Sequence, residues 1–306
     1  MAAWEYSQLS LVVNIPPTKV SMSRPLRFFM IFLFVSIVTI AGCNFLNVSQ
    51  KTTDEFSPKS NVPEKISDSH YITVLGLMQG HLVAARDLLD GGTPDQAQYH
   101  LDHPLDELFG EIKPKLELEG VNTTEFYNSL DNLYSKAKFN PYSQEIKSKP
   151  WKSVTIIQST IDSFVQKKFE SSELNQNEFV QKVLLSILET AAVEYEAGIG
   201  KNCKIIAPIE YQDSFGFVKY IEEELLREEQ GSWIPNSTKE KFQPIVKNLL
   251  DAWSPGEPFK GNLGEAPNCL EALSSLGNNP SVYPPEYPVM AANQVHQLIA
   301  EIKKDN

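Results

Sequence analysis

The sequence predicts an all-α protein, a bundle of about seven or eight helices, and three observations support this fold class. Apolar residues recur every three or four positions along most of the chain, which is the period of an amphipathic helix. Strand-like alternation of apolar and polar residues is almost absent. Glycine or proline stands where several of the helical stretches end. We therefore expect helices packed around an apolar core.

The first predicted helix covers residues 69–90 and stops at Gly91-Gly92, a pair typical of helix C-termini. Its apolar face follows a four, three, four, three spacing through Val74, Met78, His81, Ala85 and Leu88. The next helix is predicted to start at Thr93, with a capping-box pattern and proline at its first helical position. Pro104 and Pro114 are expected to interrupt what would otherwise be one helix to residue 119.

Further amphipathic stretches follow the same period. They are residues 124–138, 151–169, 177–199, 208–229, 239–253 and 288–303. The stretch 139–150 is the predicted break between two helical halves. Residues 254–288 contain seven prolines and four glycines, so we expect a long Pro/Gly-rich loop near the C-terminus, packed over the bundle.

An apolar run at residues 28–40 predicts the cellular location of the protein. It follows Arg24 and Arg27 and is too short to cross a bilayer as a helix, which takes about 20 residues. The basic flank, the length and the small residues behind it are typical of a secretory signal. The stretch from Ile40 to Cys43 resembles a bacterial lipobox, so Cys43 is the predicted lipidation site, with palmitate among its acyl chains. A plain cleavable signal or a membrane anchor is the alternative.

This interpretation divides the chain into regions. Residues 22–42 are the predicted lipoprotein signal peptide, and residues 1–21 are interpreted as a misassigned start. Residues 43–67 are polar and predict a flexible tether, because such a segment buries too little apolar surface to fold. Residues 68–306 form the predicted helical domain. We expect this domain on the periplasmic or extracytoplasmic side of a bacterial cell envelope, held by one lipid anchor, with inner and outer membrane both open.

The net charge excludes one class of partner, and the cysteines include one candidate disulfide. The chain has a net charge of −12 and no basic stripe, so it repels phosphate backbones and is not expected to bind nucleic acid. Beyond Cys43 the sequence contains Cys203 and Cys269. In an oxidising compartment these two are a candidate disulfide, and two buried free thiols are the alternative.

His81 is the first candidate ligand for a metal. It lies on the apolar face of the first helix, one turn after Met78. Gly76 and Gly80 line the same helix at a spacing that permits close approach of another backbone or a flat ligand. A lone histidine on such a face is more often a hydrogen-bonded structural residue than a ligand, so its role depends on its neighbours.

His100, His103 and Glu107 form the second candidate group. Their i, i+3, i+7 spacing places donors suitable for iron, zinc or copper along one helical face. In an unbroken helix this face points more than about 100° away from the apolar stripe, towards solvent or a second neighbouring helix. Alternatively, Pro104 disfavours helical geometry at His103, which would then cap a new helix whose first turn is acidic.

Carboxylates in the second half of the chain complete the candidates. Glu194 stands at a position of its helix where an apolar residue is expected, and a buried carboxylate needs a cation, a hydrogen-bond donor or a metal. Glu210, Tyr211 and Asp213 are predicted to form a polar network beside Gly216. Such a network is also compatible with a purely structural role in fixing helix register.

Several common catalytic motifs are absent from the sequence. It has no His-Glu-x-x-His, Gly-x-Ser-x-Gly, phosphate-binding glycine loop or Cys-x-x-Cys-His haem attachment. No nucleophile–base pair can be identified either. We therefore expect that the protein is not an enzyme.

Four segments carry a family resemblance: GLMQGHLVAARDLL, YHLDHPLDELFGEI, AAVEYEAGI and EYQDSFGFV. Together they resemble a group of exported bacterial helical proteins. More distantly, a bundle with Gly-His early in its first helix is similar to the imelysin-like periplasmic proteins, which implies an all-α domain with a role in iron handling. That family's Gly-x-His-x-x-Glu motif is not matched, because Gly80 directly precedes His81 and Ala84 stands three residues later. Its ligand residues are therefore not carried over.

Two hypotheses for the function follow. In the first, the protein is an envelope binding protein for a metal ion or metal-containing ligand, with iron, copper or zinc bound by the following residues: His81, His100, His103, Glu107 and Glu194. In the second, it is a cofactor-free scaffold lipoprotein that binds another envelope protein. Convergence of the three histidines and a carboxylate would favour the first hypothesis. His100 and His103 in solvent, away from His81, would favour the second.

Overall fold

A computed structural model describes residues 66–170, 175–200, 204–228, 232–250 and 253. The helices are α1 (Asp68–Asp90), α2 (Pro94–His103), α3 (Phe109–Leu118), α4 (Thr123–Phe139), α5 (Gln144–Lys147), α6 (Lys152–Glu170), α7 (Gln176–Gly198), α8 (Pro208–Leu226) and α9 (Asn236–Leu250), with a π-helical turn at Pro104–Leu108. These ranges contain no regular strand, and one isolated bridge pairs Ile199 with Ile205. The all-α prediction is confirmed.

Side-chain caps explain where several helices begin. The Ser67 hydroxyl accepts a hydrogen bond from the His70 backbone N–H at 3.2 Å and starts α1. The Asn122 and Asn175 side chains do the same at α4 and α7. The predicted capping box at Thr93 is wrong, because this hydroxyl donates to the carbonyl oxygen of Leu88 instead. Helix α2 still begins at Pro94, since the fixed φ of proline suits the first helical position.

Of the two prolines that were expected to interrupt the helix, Pro104 does so, because α2 ends at His103, and Pro114 does not. At Pro104 the chain widens into the π-helical turn, and the Phe109 N–H donates to the Pro104 carbonyl five residues earlier. Pro114 lies inside α3. Its missing N–H leaves the carbonyl of Gly110 without a helical donor, but Gly110 is exposed, so water can take that place.

Helices α1 and α8 form the centre of the fold. Helix α1 packs against α2, α6, α7 and α8, while α8 packs against α1, α7 and α9. Large apolar side chains from these helices are almost fully buried in one continuous core, among them Met78, Leu82, Ile187 and Phe217. A helix surrounded in this way buries residues all round, so its polar side chains must find partners inside the protein.

Glycines set the distance between α1 and α8. A Cβ atom on Gly80 would lie 2.9 Å from the Cα of Phe217, and one on Gly216 would lie 2.4 Å from the Gly80 carbonyl oxygen. The backbones therefore touch at this crossing, which the glycine spacing in the sequence had suggested. His81 follows Gly80 directly, so the crossing brings His81 against α8.

Several predictions fall on residues outside the described ranges. These are the signal region 1–42, the tether that begins at Cys43, the Pro/Gly-rich loop 254–288 and the helix 288–303. The stretch 139–150 contains the short helix α5, and its role as a break between two halves stays a prediction. Among the described helices, none has the length and apolar character needed to cross a membrane.

Candidate metal centre

Three histidines converge on one buried carboxylate. Asp213 on α8 is only 3% exposed. The Nδ1 atoms of His81 and His100 lie 2.5 Å and 2.6 Å from Asp213 Oδ1. The Nδ1 atom of His103 lies 3.2 Å from the second oxygen, Oδ2. The three histidines therefore converge on a carboxylate. This is the arrangement that favours the metal-binding hypothesis over the scaffold hypothesis.

The local fold explains this convergence. Helix α1 ends at Asp90, and Gly92 adopts a φ of 80°, a left-handed conformation that favours glycine. The chain therefore reverses, and α2 packs back along α1, which brings His100 and His103 beside His81. The rings of His81 and His103 meet edge to face, with centroids 4.9 Å apart.

The histidine face of α2 meets a second neighbour rather than solvent. Helix α2 packs against α1 and α4 and also touches α8, so two of its faces are covered. His100 is completely buried. The alternative in which His103 caps a new helix is wrong, since His103 has helical backbone angles, φ −53° and ψ −46°, and forms no capping hydrogen bond. The π-helical turn absorbs the effect of Pro104 one residue later.

A chain of amides holds His100 in place. Its Nε2 atom lies 2.9 Å from Gln212 Oε1, and Gln212 Nε2 donates to Gln96 Oε1 at 2.6 Å. With its nitrogen used in this way, Gln212 offers His100 an acceptor, so the Nε2 of His100 carries a proton. In a neutral imidazole the lone pair is then on Nδ1, the atom that faces Asp213. A second atom that fixes the tautomer of a coordinating histidine is common at metal sites.

Burial and neighbouring charges shift the pKa values of these groups in opposite directions. Burial lowers the pKa of His81 and, with the charges of the other two histidines, outweighs the opposing effect of Asp213, which keeps that ring neutral and able to coordinate. Burial would raise the pKa of Asp213, but the three histidines hold it well below its usual value. Burial would likewise lower the pKa of His103, yet Asp213, Glu107 and Glu194 raise it to about 9.

Two further carboxylates border the cluster. Glu107 lies on the π-helical turn and Glu194 on α7, and both are partly buried. Burial, together with the charges of Asp213, Glu210 and Glu107, raises the pKa of Glu194 to about 8. Burial first, and then Asp213 and other acids, also raises the pKa of Glu107. Within the described part of the chain, neither carboxylate has a hydrogen-bond or ion-pair partner, so both are available to a cation.

The chemistry of the cluster suits a transition metal. One atom each from His81, His100 and Asp213 lie within 4.8 Å of one another, a spacing from which three side chains can hold one ion. Two imidazoles and a carboxylate are ligands that iron and zinc accept, and copper also favours imidazole. His103 contacts the other oxygen of the Asp213 carboxylate.

The predicted residues have different places in the structure. His81, His100 and His103 contact Asp213, while Glu107 and Glu194 are close enough to influence the pKa of His103. Tyr211 points to another neighbour, with its ring 5.9 Å from that of Tyr195. Glu210 adds negative charge next to Glu194. Cys43, Cys203 and Cys269 lie outside the described residues.

The sequence reasoning missed two features of the site. Asp213 was placed in a polar network and not among the ligands, although it is the centre of the cluster. Gln212, which orients His100, was not considered. The available signal was an acid on α8 three residues before Gly216, where the backbones of α1 and α8 touch. An acid so near a close helix crossing must be buried.

Comparison with known protein families finds a match in the second half of the chain. Residues 170–260 match the model of a family described as the iron permease-associated four-helix bundle domain. No curated protein and no solved structure is significantly similar to the chain. The matched segment covers less than half of the chain and contains Glu194 and Asp213, whereas the three histidines and Glu107 precede it. The part that supplies the central carboxylate is thus similar to an iron-associated helical bundle.

Proposed function

We propose that this protein is an iron-binding protein of the bacterial cell envelope and not an enzyme. The observation that carries the proposal is the convergence of His81, His100 and His103 on Asp213 inside the bundle. A cluster of this kind needs positive charge at its centre, because the carboxylate is removed from water. Iron is favoured over copper and zinc because the segment with Asp213 is similar to an iron permease-associated bundle.

Binding would proceed by replacing protons with the ion. His81 is neutral and presents Nδ1, and His100 is oriented by Gln212 to present the same atom. Entry of the cation between these nitrogens and Asp213 displaces whatever proton lies in the contact. The buried position limits competition by water, so the ion is held through direct bonds to the protein.

The location belongs to the same proposal. A lipid on Cys43 would anchor the helical domain to a membrane, and residues 43–67 would let it move along the surface. The family description, which associates the matched bundle with a permease, fits a position next to a membrane. A protein there would keep iron bound near the point of transport.

Metal content tests the binding proposal. The full-length protein, stripped with a chelator, is incubated without oxygen with Fe(II), Zn(II) or Cu(I), desalted and measured by plasma mass spectrometry. We expect iron to be retained by the wild type and lost from the His81→Ala/His103→Ala variant. A His70→Ala variant is the matched control, because His70 lies on α1 but pairs with Glu111 instead. Circular dichroism shows that each variant remains helical.

Two outcomes overturn the proposal. The first is a helical wild-type protein that retains no metal. The second is a double variant that retains as much metal as the wild type. Retention of zinc or copper in preference to iron leaves a metal-binding protein but refutes the assignment of iron.

Lipidation is tested separately in a bacterial host. Labelled palmitate should be incorporated into the wild type, and a Cys43→Ser variant should lose the label and leave the membrane fraction. A Cys203→Ser variant serves as the control for loss of a thiol elsewhere. Equal labelling of the wild type and the Cys43→Ser variant would overturn the assignment of the anchor.

A further inference from the structure

We propose that His103 is the gate of the metal centre: its imidazole ring covers the donor atoms and swings aside when an ion enters or leaves. This inference rests on the proposed function and gives His103 a role other than that of a ligand. Within the described part of the chain, the donors close enough together to hold one ion come from His81, His100 and Asp213. His103 contacts the other oxygen of that carboxylate, Oδ2, at 3.2 Å. It thus lies beside the donor set and not within it.

The donor set is closed to solvent. The side chain of His100 is completely buried, and those of Asp213 and His81 are only 4% and 8% exposed. Protein interiors are close-packed, with few voids larger than a water molecule. A hydrated ion therefore cannot reach these atoms unless a part of the protein moves.

His103 lies between the donors and water. Its ring meets that of His81 edge to face, with centroids 4.9 Å apart, and the ring of His100 is 6.2 Å away. The rest of its surface reaches solvent, since 22% of the side chain is exposed. One ring thus contacts His81 and Asp213 on its inner side and water on its outer side. Moving this ring would uncover the donors.

His103 is also the histidine of the cluster that is held least tightly. Its 3.2 Å contact with Oδ2 is longer than the contacts of 2.5 Å and 2.6 Å that hold His81 and His100. His100 is fixed a second time by Gln212, whereas His103 has no further hydrogen bond or ion pair among the described residues. Side chains that reach solvent change rotamer quickly. Loss of one contact is therefore enough to free the ring.

A gate and a ligand affect the kinetics of binding differently. Because entry and exit use the same path, a closed ring slows uptake and release by the same factor. A minor conformation is usually populated at about 10% or less, so a gate that is open for this fraction of the time slows uptake at least about 10-fold. Removal of a ligand speeds release but does not speed uptake. Faster uptake is therefore specific to the loss of a gate.

Uptake kinetics test the proposal. Metal-stripped full-length protein is mixed rapidly, without oxygen, with Fe(II) held by a weak coloured indicator, and loaded protein is mixed with excess strong chelator to measure release. In His103→Ala, which removes the ring, we expect uptake about 10-fold faster than in the wild type, or more. In His103→Phe, which keeps a ring but has no nitrogen, we expect uptake no faster than in the wild type.

Two further variants make the test decisive. Tyr99→Ala removes an exposed ring from the same helix, α2, and should change neither rate. His103→Ser is equally small and replaces the alanine variant if circular dichroism shows that the latter is not helical.

Three outcomes overturn the gate and leave the proposed function intact. The first is a small variant of His103 that takes up Fe(II) no faster than the wild type, or not at all, which would make His103 a ligand. The second is equal acceleration in His103→Phe, and the third is equal acceleration in Tyr99→Ala, because the size of the His103 ring would then not control uptake. A helical wild type that takes up no Fe(II) overturns both proposals.

Discussion

Helix α8 carries two buried carboxylates that are neutralised in different ways. Asp213 and Glu224 are 3% and 6% exposed, so both have left water almost completely. Around Asp213 stand three histidines. Around Glu224 the cation is Arg227, whose Nη1 lies 3.1 Å from Oε2 and whose Nη2 also contacts Asp162 at 2.7 Å. Gln158 Nε2 also donates to Glu224 Oε2, at 3.3 Å. We call these groups the histidine cluster and the arginine cluster.

This difference indicates that the histidine cluster can bind a metal, whereas the arginine cluster has only a structural role. A guanidinium stays protonated at any ordinary pH and has no lone pair for a metal, so the arginine cluster can only hold helices together. Imidazoles can lose their protons and then coordinate. Even so, burial and Asp162 raise the pKa of Glu224 despite Arg227, whereas the histidines outweigh burial and lower the pKa of Asp213. The ionised form is thus better stabilised at Asp213 than at Glu224.

Removing the charge of each carboxylate in turn should give the largest difference in metal affinity between the two clusters. Asp213→Asn keeps the shape but removes the anionic oxygen, and we expect metal affinity to fall more than about 100-fold, since loss of an outer-shell partner alone costs 10–100-fold. Glu224→Gln is the matched change in the arginine cluster and should leave affinity unchanged. Competition with a coloured chelator measures both. Equal affinities for the wild type and Asp213→Asn would remove Asp213 from the site.

Widening the α1–α8 crossing should be the next largest effect. In Gly216→Ala the new Cβ would lie 2.4 Å from the Gly80 carbonyl, so the helices must separate, and we expect a loss of about 3 kcal/mol in the free energy of unfolding. The displacement should also weaken metal binding, because His81 and Asp213 lie on opposite sides of this crossing. Urea unfolding and chelator competition measure the two effects.

A matched glycine controls for the added methyl group. A Cβ atom on Gly110 in α3 meets nothing within 4 Å. Gly110→Ala should therefore keep the stability or raise it by up to about 1 kcal/mol, and leave metal affinity unchanged. If Gly216→Ala behaved like Gly110→Ala, the close crossing would not be what positions the histidine cluster.

Much of the fold was accessible from the sequence. The stretch predicted at 177–199 corresponds to Gln176–Gly198, because a regular apolar period and a capping Asn175 act locally. The helix predicted from residue 239 begins a turn earlier, at Asn236, where the apolar pattern gives no signal. Pro104 interrupts the α-helix as predicted, since α2 ends at His103, but a π-helical turn and not a newly capped helix follows it.

The site was only partly accessible. The spacing of His100 and His103 and the position of His81 on an apolar face are local features, and they identified three residues that meet in space. The partner Asp213 lies 132 positions from His81. The packing of α1 against α8 brings these two distant residues together, and no local sequence pattern predicts that packing. The tautomer of His100 depends on Gln212 and is equally invisible in sequence.

Breaking the arginine cluster should affect stability alone. Arg227→Met leaves Glu224 and Asp162 without their cation, and we expect a loss of about 2 kcal/mol, less than for a fully buried pair because the Arg227 side chain is 27% exposed. Metal content should not change. Adding Glu224→Gln to Arg227→Met should recover part of the loss in urea unfolding, since the uncompensated charge is gone. A fall in metal content would contradict the separation of the two clusters.

An exposed histidine–carboxylate pair should give the smallest effect and show what burial adds. His70 Nε2 lies 2.5 Å from Glu111 Oε1, but the two side chains are 45% and 43% exposed. The hydrogen bond to Glu111 raises the pKa of His70 in the folded protein. The stabilisation is therefore complete below the unfolded pKa of about 6.5 and is lost as pH rises through the higher folded value. We expect the wild type to lose no more than about 0.5 kcal/mol relative to Glu111→Gln across that range, because water screens the pair. Urea unfolding from pH 5.5 to 9 measures the difference, and a gain with rising pH would show that His70 and Glu111 do not interact in solution.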